Sequence, residues 1–462
     1  MNKKKRSGRL IACFLPYFKP YFGILALDLL CAAFTTVCEL VFPLIVRFIT
    51  NEGMNNPEGL LVGTVLKLGA LYLILRIADT AANYYMASIG HVMGARIETD
   101  MRRDLFSHLQ ELSFSYYDNT KIGQIMSRIT NDLFEVTEFA HHCPEEFFIA
   151  GIKIVASFVI LCGMNVWLTL IIFALLPPMF FFSLHFNRKM RDAFKRSRVK
   201  VGELNAQVED SLLGIRVVKS FANEDVEREK FREGNDGFLG VKKLAYRYMA
   251  AFQSGVRMFD GVMYIAVVVV GALFMIDGQI TVADLMAYLL YVTTLLTSIR
   301  RIVEFTEQFQ RGMTGIERFD EIMRAPIEIK DEPDAAVLGG VEGDIRFEKV
   351  SFRYSDDQGE VLSDIDLHVK RGDNIALVGP SGGGKTTLCS LIPRFYEVTS
   401  GRILIDGRDI KAFTQKSLRE HIGVVQQDVY LFSGSVYENI AYGKPGASRE
   451  EVEAAARKAG AH

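Results

Sequence analysis

Asn374-Ile-Ala-Leu-Val-Gly379-Pro380-Ser381-Gly382-Gly383-Gly384-Lys385-Thr386-Thr387 contains a complete G-x-x-x-x-G-K-[ST] phosphate loop. The five residues before Gly379 form a β-prone run and 386–393 suits a helix, so the expected setting is strand, loop, helix. Each residue type has a chemical task. Gly379, Gly382 and Gly384 let the backbone curl until its N–H groups face phosphate oxygens, and the helix start adds partial positive charge. Lys385 supplies a full charge for β- and γ-phosphates, and the Thr386 hydroxyl is placed to ligate Mg²⁺. With Pro380, Ser381, Gly383 and Thr387, residues 379–387 make the candidate nucleotide-binding site. The alternative is a glycine-rich turn without a ligand.

Around this loop the chain reads as a small α/β domain. After Ala325, Pro326, Pro333 and Gly339-Gly340 punctuate the sequence and short β-rich runs follow, including 345–354. Arg402-Ile-Leu-Ile-Asp406 has the look of a Mg²⁺-holding strand. It lies only about twenty residues past Lys385 and continues with Gly407, so it is read instead as a strand ending in an Asp-Gly turn. Ser448 and Glu451 have capping-box spacing before a last helix.

Further upstream the composition changes. Across 462 residues, 53 Lys+Arg stand against 55 Asp+Glu, a net charge of −2, which argues against a nucleic-acid backbone as the main partner. The apolar residues concentrate in six stretches long enough to cross a bilayer, at 21–49, 60–86, 147–164, 166–186, 250–275 and 281–302. Short turns without Lys or Arg alternate with long charged connections, which carry Arg96, Arg102 and Arg103 in one and Arg188, Lys189 and Arg191 in another. The positive-inside rule places those connections, the basic N-terminus and everything after Ile302 in the cytoplasm, with Arg47 and Lys67 as mild counter-signals. The opening Met-Asn-Lys-Lys-Lys-Arg resembles a signal-peptide n-region, but the apolar run after it is too long and lacks a cleavage pattern, so it is read as a retained span. Helix formers at 96–112 and 203–213 extend the spans by roughly 20–25 Å beyond the membrane. Cys13, Cys31, Cys38, Cys143, Cys162 and Cys389 show no metal-ligand spacing and read as small hydrophobes in a reducing compartment, so no metal site is expected around them.

Six spans, long cytoplasmic helices and a phosphate loop in one chain resemble the exporter class of ATP-binding-cassette (ABC) transporters. Phe352-Arg-Tyr354 falls where that family places an aromatic on adenine, although a core strand aromatic would read the same way. Ile422-Gly-Val-Val-Gln-Gln427-Asp428 resembles the family's Q-loop, which implies that Gln427 contacts Mg²⁺ and the attacking water, and Phe432-Ser-Gly-Ser-Val-Tyr-Glu-Asn-Ile440 resembles the segment after it. Tyr117 to Asp132 and Gly214-Ile-Arg-Val-Val-Lys-Ser-Phe221 resemble the two intracellular connections, with coupling helices near 119–126 and 214–217.

The resemblance implies an α-helical six-span membrane domain at 1–325, a linker at 326–344 and an ATP-binding cassette at 345–462. It implies ATP and Mg²⁺ as cofactors and a second half-transporter as partner. The setting is the plasma membrane and its lipid, and the substrate a drug, lipid or other small amphipathic molecule. The family's signature motif, its Asp-Glu strand and its switch histidine have no counterpart before His462, so no residue present is assigned as hydrolytic base and the cassette is expected to be incomplete. Alternatives are an ATP-binding membrane protein without turnover of its own and an importer on the same scaffold. Glu39, the Arg76/Asp79 and Arg257/Asp260 pairs, Tyr288, Tyr291, Thr294 and Ser298 are candidates to line a substrate cavity, with structural pairing the competing reading for the charged pairs.

Overall fold

The computed structural model describes residues 3–55, 61–355, 359–426 and 429–462. They form two compact units, one of residues up to 111 together with 120–325, the other of 112–119 together with 326–462.

The first unit is helical. In chain order its elements are α1 (Lys3–Phe18), α2 (Phe22–Asn55), α3 (Val62–Tyr85) and α4 (His91–Glu111). After α5 (Phe114–Asn119), which belongs to the other unit, come α6 (Ile122–Ser127), α7 (Leu133–Cys162), α8 (Val166–Leu213), α9 (Ile215–Ser220), α10 (Glu224–Ile276) and α11 (Val282–Met323). α8, with 48 residues, would be about 70 Å long, and α10, with 53, about 80 Å. They exceed a bilayer core of about 30 Å by more than the 20–25 Å expected. Pro43, Pro144, Pro177 and Pro178 all lie inside helices, a placement that membrane bundles tolerate because neighbouring groups re-satisfy the freed carbonyls.

Four helical stretches among the described residues are long and apolar enough to cross a membrane: Arg9–Met54, Val166–Leu213, Glu224–Ile276 and Val282–Met323. The expected count of six is therefore not confirmed. The other two expected stretches fall in α3 and α7, where Lys67, Arg76 and Asp79 in one and Glu145, Glu146 and Lys153 in the other dilute the apolar run. Both helices still turn apolar side chains outward, Leu66, Leu73, Ile74 and Ile77 from α3 and Val155 and Val159 from α7.

The corners between long helices are built locally. Asn165 caps α8 by accepting from the Leu168 N–H at 2.9 Å, and Thr281 and Asp284 form a capping box at the start of α11. Asp284 also takes Arg47 at 2.5 Å, so the arginine that ran against the positive-inside pattern is neutralised by a partner on another helix. The core beneath these corners gathers Leu40, Leu161, Ile172, Met179, Met263 and Leu295.

The second unit holds a four-stranded antiparallel sheet in the order β2-β1-β3-β4, from β1 (Ile345–Phe352), β2 (Leu362–Val369), β3 (Ser400–Ile405) and β4 (Arg408–Asp409). Phe347, Val350, Phe352, Leu391, Ile403 and Leu418 form its core. Short helices complete it: α5 (Phe114–Asn119), α12 (Lys385–Leu391), α13 (Gln415–Glu420), α14 (Val436–Ala441) and α15 (Arg449–Lys458). The capping box expected at Ser448 and Glu451 opens α15, and a second one, Ser435 with Glu438, opens α14.

The strand expected at 374–378 is not formed. No strand among the described residues pairs with it and its side chains are exposed, Val378 to 92%; a β-prone run without a hydrogen-bonding neighbour has nothing to hold it as a strand. The Asp-Gly turn is formed as read. Asp406 (φ +49°) and Gly407 (φ +77°) make a two-residue connection between paired Ile405 and Arg408.

Gly401 sits where β3 passes a register shift in β1. Its φ is +79°, and an added Cβ would lie 2.2 Å from the Lys349 carbonyl oxygen and 2.5 Å from that of Glu348. Gly401→Ala is expected to destabilise the sheet by on the order of 3 kcal/mol, since neither the φ nor the backbone contact can be relieved by rotating a side chain. Faster tryptic cleavage within 326–462 is the readout, and wild-type resistance would contradict this account.

Candidate functional site

The phosphate loop lies between the exposed segment 373–380 and α12. Gly382 and Gly384 have φ of +79° and +77°, which only glycine adopts without strain. Gly384 is also packed from behind, since a Cβ there would meet Leu362 Cδ2 at 2.7 Å. Gly379 differs from this expectation: its φ is not positive and a Cβ would meet nothing within 4 Å, so the curl is made by the second half of the loop. Gly383 N–H turns back onto the Pro380 oxygen at 3.1 Å, while Gly382, Gly384 and Lys385 present N–H groups with no acceptor among the described residues. The donor set and the open cradle fit a polyphosphate.

Lys385 folds over its own loop, its Nζ donating to the Gly379 oxygen at 3.0 Å and to the Pro380 oxygen at 2.7 Å. Both acceptors are neutral carbonyls, which an anionic phosphate outcompetes for an ammonium. Thr386 is exposed at the loop, and Thr387 is buried behind it. Tyr354 joins the site: its hydroxyl and the Thr387 Oγ1 are 2.8 Å apart, and its ring stands edge-on to Phe352 and Tyr396 at 4.9 and 5.2 Å. Gln427 and Asp428 lie outside the described residues.

Asp406 is not a metal-holding carboxylate. It accepts from the N–H groups of Glu342, Gly343 and Asp344 at 2.9–3.0 Å, and although burial pushes its pKa up, those donors outweigh this and leave it below the ordinary value. It staples the turn to the chain ahead of β1.

Next to the loop, α5 packs on the segment after α12. Phe114 stacks on Phe395 with centroids 4.5 Å apart, the Tyr396 hydroxyl donates to Asp118 at 2.7 Å, and Ser113 donates to Glu328 at 2.6 Å. Burial, then the Asp118 carboxylate, holds the Tyr396 phenol well above its ordinary pKa, so the donor stays protonated. A helix forms where one was expected near 119–126, as α6, but it belongs to the first unit, and the segment folded into the second is 112–119. An aromatic anchor at Phe114, just ahead of the matching segment, decides this.

In the first unit a polar cavity of about 500 Å³ is lined by Glu39, Arg76, Asp79, Lys153, Ser298 and Arg301, among others. Glu39 pairs with Lys153 at 2.5 Å and Arg76 with Asp79 at 2.9 Å. The expected Arg257/Asp260 pair is replaced, Asp260 pairing with Arg300 of α11. Tyr288 and Tyr291 do not line the cavity. Both are fully buried, Tyr288 donating to the oxygens of Leu161 and Asn165 and Tyr291 to that of Leu40, because a buried hydroxyl must find an acceptor. Thr294 bonds back to the Leu290 oxygen within its own helix.

A helical unit with membrane-crossing stretches followed by a phosphate-loop unit defines the class of ATP-dependent membrane transporters. Residues 25–299 match the ABC transporter transmembrane region family model and residues 362–462 the ABC transporter family model. The chain is 41% identical over 447 residues to YwjA, an ABC transporter ATP-binding protein of Bacillus subtilis (strain 168), covering 96% of this chain and 77% of the relative. It is 32% identical over 455 residues to YgaD of the same organism, named as a multidrug export ATP-binding/permease protein, covering 97% and 78%. A Staphylococcus aureus (strain NCTC 8325 / PS 47) protein with the same kind of name is 32% identical over 457 residues, covering 98% and 79%. The chain belongs to the ABC transporter family, as an exporter-type half-transporter with one membrane region and one ATP-binding region. It is a multi-pass plasma-membrane protein whose ATP-binding domain is cytoplasmic, and its family couples ATP hydrolysis to transport.

Proposed function

We propose that the protein exports a small amphipathic substrate, drug-like or lipid, from the cytoplasm or inner leaflet, working as a dimer of half-transporters. The observation that carries this reading is the polar cavity of the first unit, where the acidic side chains of Glu39, Asp79, Glu145 and Glu146 face Arg76, Lys153 and Arg301. Such a cavity, with both charged and apolar lining, suits molecules with both apolar body and charge. The names of YgaD and the Staphylococcus aureus relative point the same way.

In this reading the boundaries are a membrane domain to 325, a linker at 326–344 and a cassette from 345. The loop 379–387 holds the phosphates, Lys385 neutralises the β- and γ-phosphates, Thr386 and Gln427 serve Mg²⁺, and Tyr354 supports the adenine. Mg²⁺ would supply charge neutralisation on the transferred phosphoryl group. Dimerisation is supported by the apolar knuckle around α9, where Leu213, Val217 and Phe221 are 80%, 62% and 72% exposed, a surface suited to a second subunit.

In inside-out vesicles, ATP is expected to drive accumulation of a fluorescent amphipathic cation. Glu39→Gln leaves Lys153 without its carboxylate and makes the cavity more positive, which should raise the KM for the cation about tenfold while a neutral substrate changes little. Equal KM values for both proteins would remove Glu39 from substrate recognition, and the absence of ATP-driven uptake of cationic, neutral or lipid probes would remove export itself.

A further inference from the structure

Three histidines from two helices meet in the first unit. His91 opens α4, and His141 and His142 follow one another on α7. Their ring centroids are 3.9 Å apart for the adjacent pair, and 4.3 and 5.0 Å from His91 to His141 and His142. One nitrogen from each ring lies within 4.8 Å of the others. Zinc–imidazole bonds of about 2.0–2.1 Å in a tetrahedron place nitrogens about 3.4 Å apart, so small side-chain rotations bring all three to one centre.

Two further observations point to a ligand here. His141 is 1% exposed, yet neither of its ring nitrogens has a hydrogen-bond partner among the described residues. Asp28 of α2 is fully buried with both carboxylate oxygens equally unpartnered. Buried polar groups are rarely left this way. The two converge on the same point: a Cβ on Gly90 would lie 3.0 Å from Asp28 Oδ1 and 3.3 Å from the His141 ring. Glycine at 90 thus keeps open the space between the carboxylate and the imidazole, next to His91. Glu138 stands 3.5 Å from His142 Nε2, the carboxylate–imidazole arrangement that orients a ligating histidine through its second nitrogen. His91 and His142 also line the polar cavity, which gives an ion a route in.

We propose that His91, His141 and His142 bind a divalent zinc-like cation, with the buried Asp28 carboxylate beside His141 offsetting its charge. Three imidazoles are the donor set of a borderline transition metal, not of Mg²⁺ or Ca²⁺, which take oxygen ligands. The bound ion ties α4 and α7 together at the cavity wall.

The test uses the full chain in detergent, purified without a histidine tag and without nucleotide, so that its outcome is independent of the ATP site. Zn²⁺ titrated by calorimetry should bind at one equivalent per chain, and Co²⁺ should give intense visible bands of tetrahedral coordination. His141→Ala/His142→Ala is expected to weaken binding about a hundredfold or more, whereas His185→Ala, on α8, leaves it unchanged. His142→Cys provides a check that a folding defect cannot imitate, since a ligating thiolate adds a sulfur-to-cobalt charge-transfer band. No Zn²⁺ uptake by the wild-type chain, unchanged affinity in the double variant, or no new band in His142→Cys would overturn the proposal.

Discussion

In the hydrolysis-competent transporter, Lys385→Ala is expected to leave the protein folded and in the membrane while lowering ATP-driven transport and ATPase activity by about 10² to 10³-fold. Lys385 Nζ bridges the Gly379 and Pro380 oxygens, so it both braces the loop and carries the charge that the proposed phosphates would meet. Alanine removes both, whereas the glycine conformations at 382 and 384 and the packing of Leu388 and Leu391 do not depend on the side chain. Lys385→Arg retains the charge but, with a bulkier planar head, should lose most of the activity as well. Hydrolysis and uptake in proteoliposomes, normalised to protein recovered, measure the effect. Activity within threefold of wild type in Lys385→Ala would refute the assigned role of the loop.

The second large effect is uncoupling. α5 interrupts the sequence of the first unit between α4 and α6, yet it is folded into the second. Its hold there consists of the Phe114–Phe395 stack, the Tyr396-to-Asp118 hydrogen bond and the Ser113-to-Glu328 hydrogen bond. Tyr396 also touches Tyr354, and Tyr354 shares a hydrogen bond with Thr387. An unbroken chain of contacts therefore runs from the phosphate loop through Tyr354 and Tyr396 to Asp118. Through the backbone it reaches α4 and α6.

An aromatic pair contributes about 0.5–1.5 kcal/mol beyond its buried area, and a hydrogen bond to a carboxylate about 1.5–3 kcal/mol. Phe114→Ala with Asp118→Asn removes or weakens both. ATP hydrolysis is expected to stay within about threefold of wild type while substrate moved per ATP falls about tenfold. An unchanged ratio of transport to hydrolysis would show that α5 does not carry the coupling.

Much of this was legible in the sequence wherever the signal is local. The phosphate loop, the Asp406-Gly407 turn and the Ser448/Glu451 capping box each depend on a handful of consecutive residues whose spacing matches the geometry they adopt. The long apolar stretches became helices for the same reason. Where a reading needed a neighbour it failed: the run at 374–378 has strand propensity but no partner strand. The i,i+3 spacing of Arg257 and Asp260 suggested a pair, yet Arg300 took the carboxylate. Tyr288 and Tyr291 looked like cavity residues by position, and the rotation of α11 sent them into the core instead.

Local pattern in the chain was thus sufficient for the class of protein and the curl of the glycine-rich loop at 382–384, because periodicity, capping and loop chemistry act over a few residues. Only the packed structure decided which distant groups meet: Arg47 with Asp284, Lys153 with Glu39, Phe114 with Phe395, and Asp28 near His91, His141 and His142. Those meetings depend on how each helix is rotated and where it crosses its neighbours. Rotation and crossing are set by the sum of many side-chain contacts across the bundle, which no short stretch of sequence contains.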